Sequence, residues 1–212
     1  MNRTTALRAF LVGAPLAFAA LLTQHPMGTG DFFEEVSDNV TPWLIVHYGG
    51  AIFFPLMALV IWLLIRDLSG RAATIARFAL PTYAVFYTVW ETIFGIANGL
   101  LANSGNHLSG AERQGVAEAV NDILSSPIVG ESGVLVSIGS IAWWIGISGA
   151  IMALKHAGAA RKELVLLGLG GLMAFHVPIG PPALVCLSAA AYLIERRRQT
   201  APALQLHPVP AS

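Results

Sequence analysis

The stretch AFHVPIGPPAL, Ala174 to Leu184, interrupts the most apolar part of the chain and decides how the C-terminal region folds. The surrounding segment, 164–194, contains no charged residue. A single helix over it would be about 46 Å long, too long for a hydrocarbon core of roughly 30 Å. The residue before a proline is disfavoured in helical geometry, and proline suits the first turn of a new helix. The stretch therefore predicts two short helices, over about 164–176 and 182–194.

The composition is that of a membrane protein. Of the 212 residues, 55% are hydrophobic and only 11% are charged, whereas an average soluble domain is about 25% charged. A soluble surface needs more charge than this, while lipid can solvate apolar side chains. The formal net charge is zero, so no basic excess points to a nucleic-acid partner. The single cysteine, Cys186, excludes an internal disulfide and a cysteine metal cluster.

Four further segments approach or reach the length of about 20 apolar residues that a spanning helix needs. The first is also compatible with a cleaved signal peptide, but we favour an uncleaved helix. The predicted fold class is all-α: a polytopic membrane helical bundle of about six segments, ending in a short Pro/Gly-interrupted hairpin. We predict one transmembrane domain over 1–198 and a disordered cytoplasmic tail over 199–212. The four longer helices are predicted at about 9–23, 43–65, 78–102 and 133–154.

Basic residues set the predicted orientation, because they favour the cytoplasmic side of a membrane. They occur before the first span, between the second and third, after the fourth and after the last. These residues are Arg3, Arg8, Arg66, Arg71, Arg77, Lys155, Arg161, Lys162, Arg196, Arg197 and Arg198. The chain between Lys162 and Arg196 must then cross the membrane an even number of times. We expect a multi-pass protein of the cell membrane with both termini in the cytoplasm.

The intervening loops are acidic. Asp31 to Asn39 is interpreted as a loop, and Arg113 is the one basic residue between 103 and 132. Ser109 with Glu112 three residues later is a capping-box pattern. Together with valine, isoleucine and leucine at helical spacing, it predicts an extramembrane helix over about 110–124.

Ionisable residues inside membrane helices are costly and are candidates for function. Glu91, His47 and His176 occupy such positions, and His25 follows the first span on the same side. The chain topology places all four towards the outer, non-cytoplasmic half of the membrane. On an α-helix, Tyr83, Tyr87, Glu91 and Asn98 would share one face. We therefore predict Glu91, Tyr87 and Asn98 as ligand-binding residues.

Histidine and glutamate are suitable ligands for a divalent transition metal. His47, His176, Glu91 and His25 are accordingly predicted as metal ligands, although no local motif such as H-E-x-x-H supports them. The site would bind a metal ion, a proton or a small polar ligand, for transport or metal-assisted chemistry. One alternative is electron transfer through haem b held by His47 and His176. Another is a non-catalytic scaffold whose buried polar groups only pair helices. The sequence does not decide whether the protein is an enzyme.

The sequence leaves the roles of two further features undecided. The tip between the two short helices is either part of a binding site or an ordinary external turn. A ridge of small residues in the fourth span, Ala142, Gly146 and Ala150, suits close helix packing. That packing is expected within the chain, with self-association into a homo-oligomer as the alternative. The lipid bilayer and a small polar ligand or ion are the other expected partners.

Overall fold

The computed structural model describes residues 3–26, 31–175 and 178–200, and within these ranges the chain is helical without a strand. One π-helical segment, Glu91–Ala97, follows α4, and one 3₁₀ segment, Gly171–Phe175, follows α8. The α-helices are α1 Arg3–Leu22, α2 Phe32–Asp38, α3 Val40–Leu64, α4 Arg71–Trp90, α5 Asn98–Gly105, α6 Gly110–Ser125, α7 Val134–His156, α8 Arg161–Gly170 and α9 Gly180–Thr200. The predicted all-α class is confirmed.

Four helical stretches in the described part of the chain are long and apolar enough to cross a membrane, and they coincide with the four longer predicted spans. The third runs from Arg71 to Gly105, beyond the predicted 78–102, because α4, the π segment and α5 continue one another. Helix α1, which contains the first stretch, begins at Arg3 rather than at residue 9, and Arg8 therefore lies inside the helix. These stretches are Thr4–Leu22, Val40–Leu64, Arg71–Gly105 and Val134–His156.

The C-terminal region contains two helices, α8 and α9, that pack on each other. Arg197, near the end of α9, donates to the Gly158 carbonyl oxygen at 2.9 Å and to Glu163 Oε2 at 3.2 Å, near the start of α8. A Cβ at Gly170 would lie 2.8 Å from the Leu187 Cβ, so the two helices are in close contact. The predicted tip residue His176 lies outside the described residues.

The prediction of a loop at Asp31 to Asn39 is wrong, because this segment forms the short helix α2. The Asp31 side chain accepts a hydrogen bond from the Glu34 backbone N–H at 3.2 Å and so caps the helix. The prediction of an extramembrane helix is confirmed by α6. Its capping box is not formed, since the Ser109 side chain makes no capping hydrogen bond.

The two ends of the bundle differ in charge. At one end, called the basic end here, Arg66 and Arg198 both pair with the buried carboxylate of Glu195. Arg77 donates to the carbonyl oxygens of Ile65, Arg66 and Leu68, which closes the end of α3. The opposite, acidic end contains the described residues 23–26, 31–42 and 103–133, with eight Asp or Glu residues and a single arginine.

The small residues of α7 pack within the chain, against α4. A Cβ at Gly146 would lie 2.9 Å from the Leu80 side chain, and one at Gly149 would lie 2.9 Å from the Ala72 carbonyl oxygen. Ala142 and Ala150, the other two members of the predicted ridge, are buried. Glycine and alanine here let the two helix backbones approach closely.

Gly149→Ala should destabilise the protein by about 1–3 kcal/mol, the usual cost of overpacking a filled contact. The added methyl group would meet the α4 backbone, which cannot rotate away. Gly13→Ala is the matched control, because no heavy atom lies within 4 Å of a Cβ built there. It should be neutral or stabilising by roughly 0.5–1 kcal/mol. Thermal unfolding of both variants in detergent measures the difference, and equal unfolding temperatures would contradict this packing.

Candidate functional site

A cavity of about 890 Å³ lies at the acidic end of the bundle. Its walls come from the end of α1, from α2, from the first half of α3, from the junction of α4 with the π segment, and from α7. Glu91, His47 and His25 all line it, so three of the four predicted metal ligands share one cavity. The described lining residues are Leu22, His25, Phe32, Glu35, Trp43, Val46, His47, Phe54, Tyr87, Trp90, Glu91, Phe94, Glu131, Ser132, Val136, Ser137, Ser140, Ile141, Trp144 and Ala174.

Glu91 is the most deeply placed carboxyl group of this cavity, with 3% of its surface exposed. A Cβ at Gly50 would lie 2.1 Å from Glu91 Oε1, so glycine makes room on α3 for the carboxyl group. The other two buried glutamates, Glu163 and Glu195, both form ion pairs with arginines at the basic end. Among the described residues, no lysine or arginine forms such a pair with Glu91.

The π segment begins at Glu91 and orients the side chains beside the cavity. Its i→i+5 hydrogen bonds widen the helix, a feature that often occurs at functional sites. Trp43 Nε1 donates to the Gly95 carbonyl oxygen at 2.7 Å in a buried bond from α3 to the π segment. A Cβ at Gly95 would lie 1.8 Å from His47 Cδ2, so only glycine fits between the π segment and this ring.

The two histidines of the cavity lie side by side, with their ring centroids 5.3 Å apart. His47 Nδ1 is 2.8 Å from the Trp43 carbonyl oxygen, and His25 Nδ1 is 2.7 Å from the Pro26 carbonyl oxygen. A carbonyl oxygen only accepts, so each Nδ1 carries a proton. In the neutral ring, Nε2 is then the acceptor nitrogen. The Trp43 indole stacks on His47 with centroids 4.1 Å apart and fixes the ring plane.

The predicted metal site is formed only in part by the described residues. Both rings use Nδ1–H to donate to a carbonyl, as metal-binding histidines usually do. Within the ranges that the structure describes, however, no three His, Cys, Asp or Glu side chains form a metal-binding group. His176 lies outside those ranges. Metal binding by His25, His47, Glu91 and His176 therefore stays a prediction.

Of the predicted ligand-binding residues, Tyr87 and Glu91 line the cavity, while Asn98 does not. The Tyr87 hydroxyl shares a hydrogen bond with Ser140 Oγ at 3.0 Å, across the contact between α4 and α7. The predicted polar face assumes α-helical geometry, from which the π segment between Glu91 and Asn98 departs. Ligand binding by Glu91, Tyr87 and Asn98 stays a prediction. The Asn98 amide is fully buried and has no hydrogen-bond partner among the described residues.

Sequence reasoning missed most of the cavity wall. Its aromatic residues include Trp90 and Phe94, whose rings stack with centroids 4.9 Å apart on either side of Glu91 in the chain. In the sequence, both residues lie within three positions of Glu91, a carboxyl residue in an apolar segment, and this proximity could have identified them. Ser137 and Ser140 of α7 gave no such signal, because serines are common in membrane helices.

Comparison with known proteins gives no assignment: the chain matches no known family, no curated protein and no solved structure.

Trp43→Phe should destabilise the protein, because it leaves the buried Gly95 carbonyl without its indole donor. Losing a buried hydrogen bond in this way costs about 1–3 kcal/mol. Trp62→Phe in the same helix is the control: Trp62 is half-buried, and its indole N–H makes no hydrogen bond to any described residue. Thermal unfolding in detergent should rank Trp43→Phe clearly below Trp62→Phe. The same loss in both variants would show that packing, rather than the hydrogen bond, holds the π segment.

Proposed function

We propose that this protein is a multi-pass membrane protein that binds a small polar ligand in the cavity at its acidic end. Glu91 is the principal polar contact, and His25, His47 and Tyr87 complete the polar part of the wall. The observation that carries the proposal is a cavity of about 890 Å³ with a buried glutamate, Glu91, that forms no ion pair with a described lysine or arginine. This volume falls within the range of about 300–1,000 Å³ that is usual for small-molecule sites.

The proposed topology has six spans. Four are the membrane-length helical stretches, and the remaining two are α8 and α9, arranged as a hairpin. Support for the hairpin comes from Arg197, which joins the end of α9 to the start of α8. With the basic end in the cytoplasm, as positive residues favour, the cavity opens to the outside of the cell membrane.

A small ligand is favoured over the alternatives by the shape of the site. A scaffold that used Glu91 only to pair helices would not need a cavity beside the carboxyl group. A metal centre needs three or four ligands, and the described residues do not provide such a group. The haem alternative requires His176, which lies outside them, and stays a prediction.

The accessibility of Ser137 tests both the opening and the orientation of the cavity. This residue lines the cavity and is exposed. Ser137→Cys, made after Cys186→Ala has removed the native thiol, should react with a membrane-impermeant maleimide on intact cells. The thiol would face water outside the cell, where the reagent is confined. Gel shift after coupling to a heavy maleimide measures the labelled fraction.

Asp67→Cys in the same background is the matched control. Asp67 lies at the basic end, and 62% of its side chain is exposed. It should be labelled only after the membrane is permeabilised. Labelling of the two cysteines in the opposite order would show that the topology is the reverse of the one proposed. A Ser137→Cys thiol that never reacts would rule out an open cavity.

A further inference from the structure

We propose that the ligand of this cavity is a small organic cation, an ammonium compound with apolar substituents. This inference rests on the proposed function and names the chemical class of its ligand. It requires three features in one place: a field that attracts cations, a wall that accepts apolar groups, and a carboxylate that meets the charge. The acidic end has all three.

The field comes from an excess of carboxylates at the acidic end. Eight acidic residues lie there against one arginine, Arg113, while the chain as a whole is neutral. Arg113 is already paired, because it donates to both carboxylate oxygens of Glu34 at 2.8 Å. Its Cζ also lies 4.8 Å from the centroid of the Phe33 ring. The hydrogen bonds from Arg113 lower the pKa of Glu34, so this carboxyl group stays charged. The uncompensated carboxylates raise the local concentration of cations.

The cavity itself continues this charge pattern. Glu35 and Glu131 line it together with Glu91, and no lysine or arginine is among its described lining residues. Glu131 is exposed and Glu35 is half-buried, so these two can meet an approaching cation before it reaches Glu91. An anionic ligand would meet repulsion from Glu35 and Glu131 on its way in. The cavity therefore selects positive charge.

Aromatic rings make up much of the remaining wall. Trp43, Trp90, Phe94 and Tyr87 line the cavity around Glu91, and the Trp90 ring lies 5.7 Å from that of Tyr87. Aromatic faces attract cations through their quadrupole, and quaternary ammonium groups are commonly recognised by such rings. A hydrated metal ion would gain little from them. The wall thus favours an organic cation over an inorganic one.

Glu91 provides the countercharge in the depth of the site. A buried ionised carboxylate is stable only when it is paired, and the arginines that pair Glu163 and Glu195 have no counterpart in the described surroundings of Glu91. A cationic ligand would supply that missing charge. Gly50 leaves room on α3 for the carboxyl group, and Glu91 is at the same time one of the residues that line the cavity.

Choline is the probe, and 3,3-dimethylbutan-1-ol is its neutral isostere. Three of the five tryptophans, Trp43, Trp90 and Trp144, line the cavity, so binding to the purified full chain should change tryptophan fluorescence. We expect saturable binding of choline and none of the isostere at equal concentration. Glu91→Gln should weaken choline binding roughly ten- to hundredfold, the usual effect of losing a charged partner.

Asp38→Asn is the matched control for Glu91→Gln. It removes one negative charge from the same end, but Asp38 is exposed and does not line the cavity. Its choline affinity should stay within about twofold of the parent, since exposed charges are screened by salt. Circular dichroism of each variant establishes that it is folded. If Glu91→Gln does not fold, Glu91→Asp replaces it and should weaken binding by moving the carboxylate away from the cation.

Other outcomes would overturn the inference. Equal binding of the isostere would show that the cavity recognises shape and not charge. An unchanged choline affinity in Glu91→Gln would show that Glu91 is not the countercharge of the ligand. Stoichiometric zinc or copper in the purified protein, released by chelation and competing with choline, would assign the site to a metal. Failure to bind choline with normal labelling of Ser137→Cys would leave the open cavity standing and reject only the organic cation.

Discussion

The hydrogen bond from Trp43 Nε1 to the Gly95 carbonyl oxygen is the contact on which the cavity depends. It joins α3 to the π segment, where the third membrane helix departs from regular α-helical geometry. The same indole stacks on His47, while Gly50 and Gly95 let Glu91 and His47 fit between the two helices. One tryptophan and two glycines thus position the acid and the imidazole. Larger residues at positions 50 and 95 would displace the Glu91 carboxyl group and the His47 ring.

Basic and acidic residues are concentrated at opposite ends of the bundle, and the buried glutamates at the two ends have different surroundings. At the basic end, arginines neutralise Glu163 and Glu195 and fix the neighbouring helices. At the acidic end, the one arginine is held by Glu34 on the surface, away from Glu91. Removing either partner of the ion pairs at the basic end would leave a buried charge uncompensated, which is strongly destabilising. Glu91, the buried acid at the acidic end, forms no ion pair with an arginine of the described chain.

Much of the helical architecture could be predicted from the sequence, because membrane helices need long apolar segments and basic loops mark one side. The same logic of alternating loops placed His25, His47 and Glu91 towards one end, where they share the cavity. The π segment could not be predicted, since it depends on a tertiary bond between residues 52 positions apart. The assignment of Asn98 to the face of Glu91 assumed a regular α-helix, and Asn98 lies outside the described cavity lining. Helix α2 had a usable signal in Asp31 and Glu34, a spacing that resembles a capping box.

We infer that the Glu91 carboxyl group faces the ligand inside the cavity. Difference infrared spectroscopy of the protein in lipid, with and without choline, tests it most directly, because carboxyl stretching bands report changes at the group itself. We expect a choline-induced change in a glutamate carboxyl band that is present in the parent protein and absent from Glu91→Gln. A choline-induced spectrum that is the same in both proteins would contradict it, since the ligand would then bind without contacting Glu91.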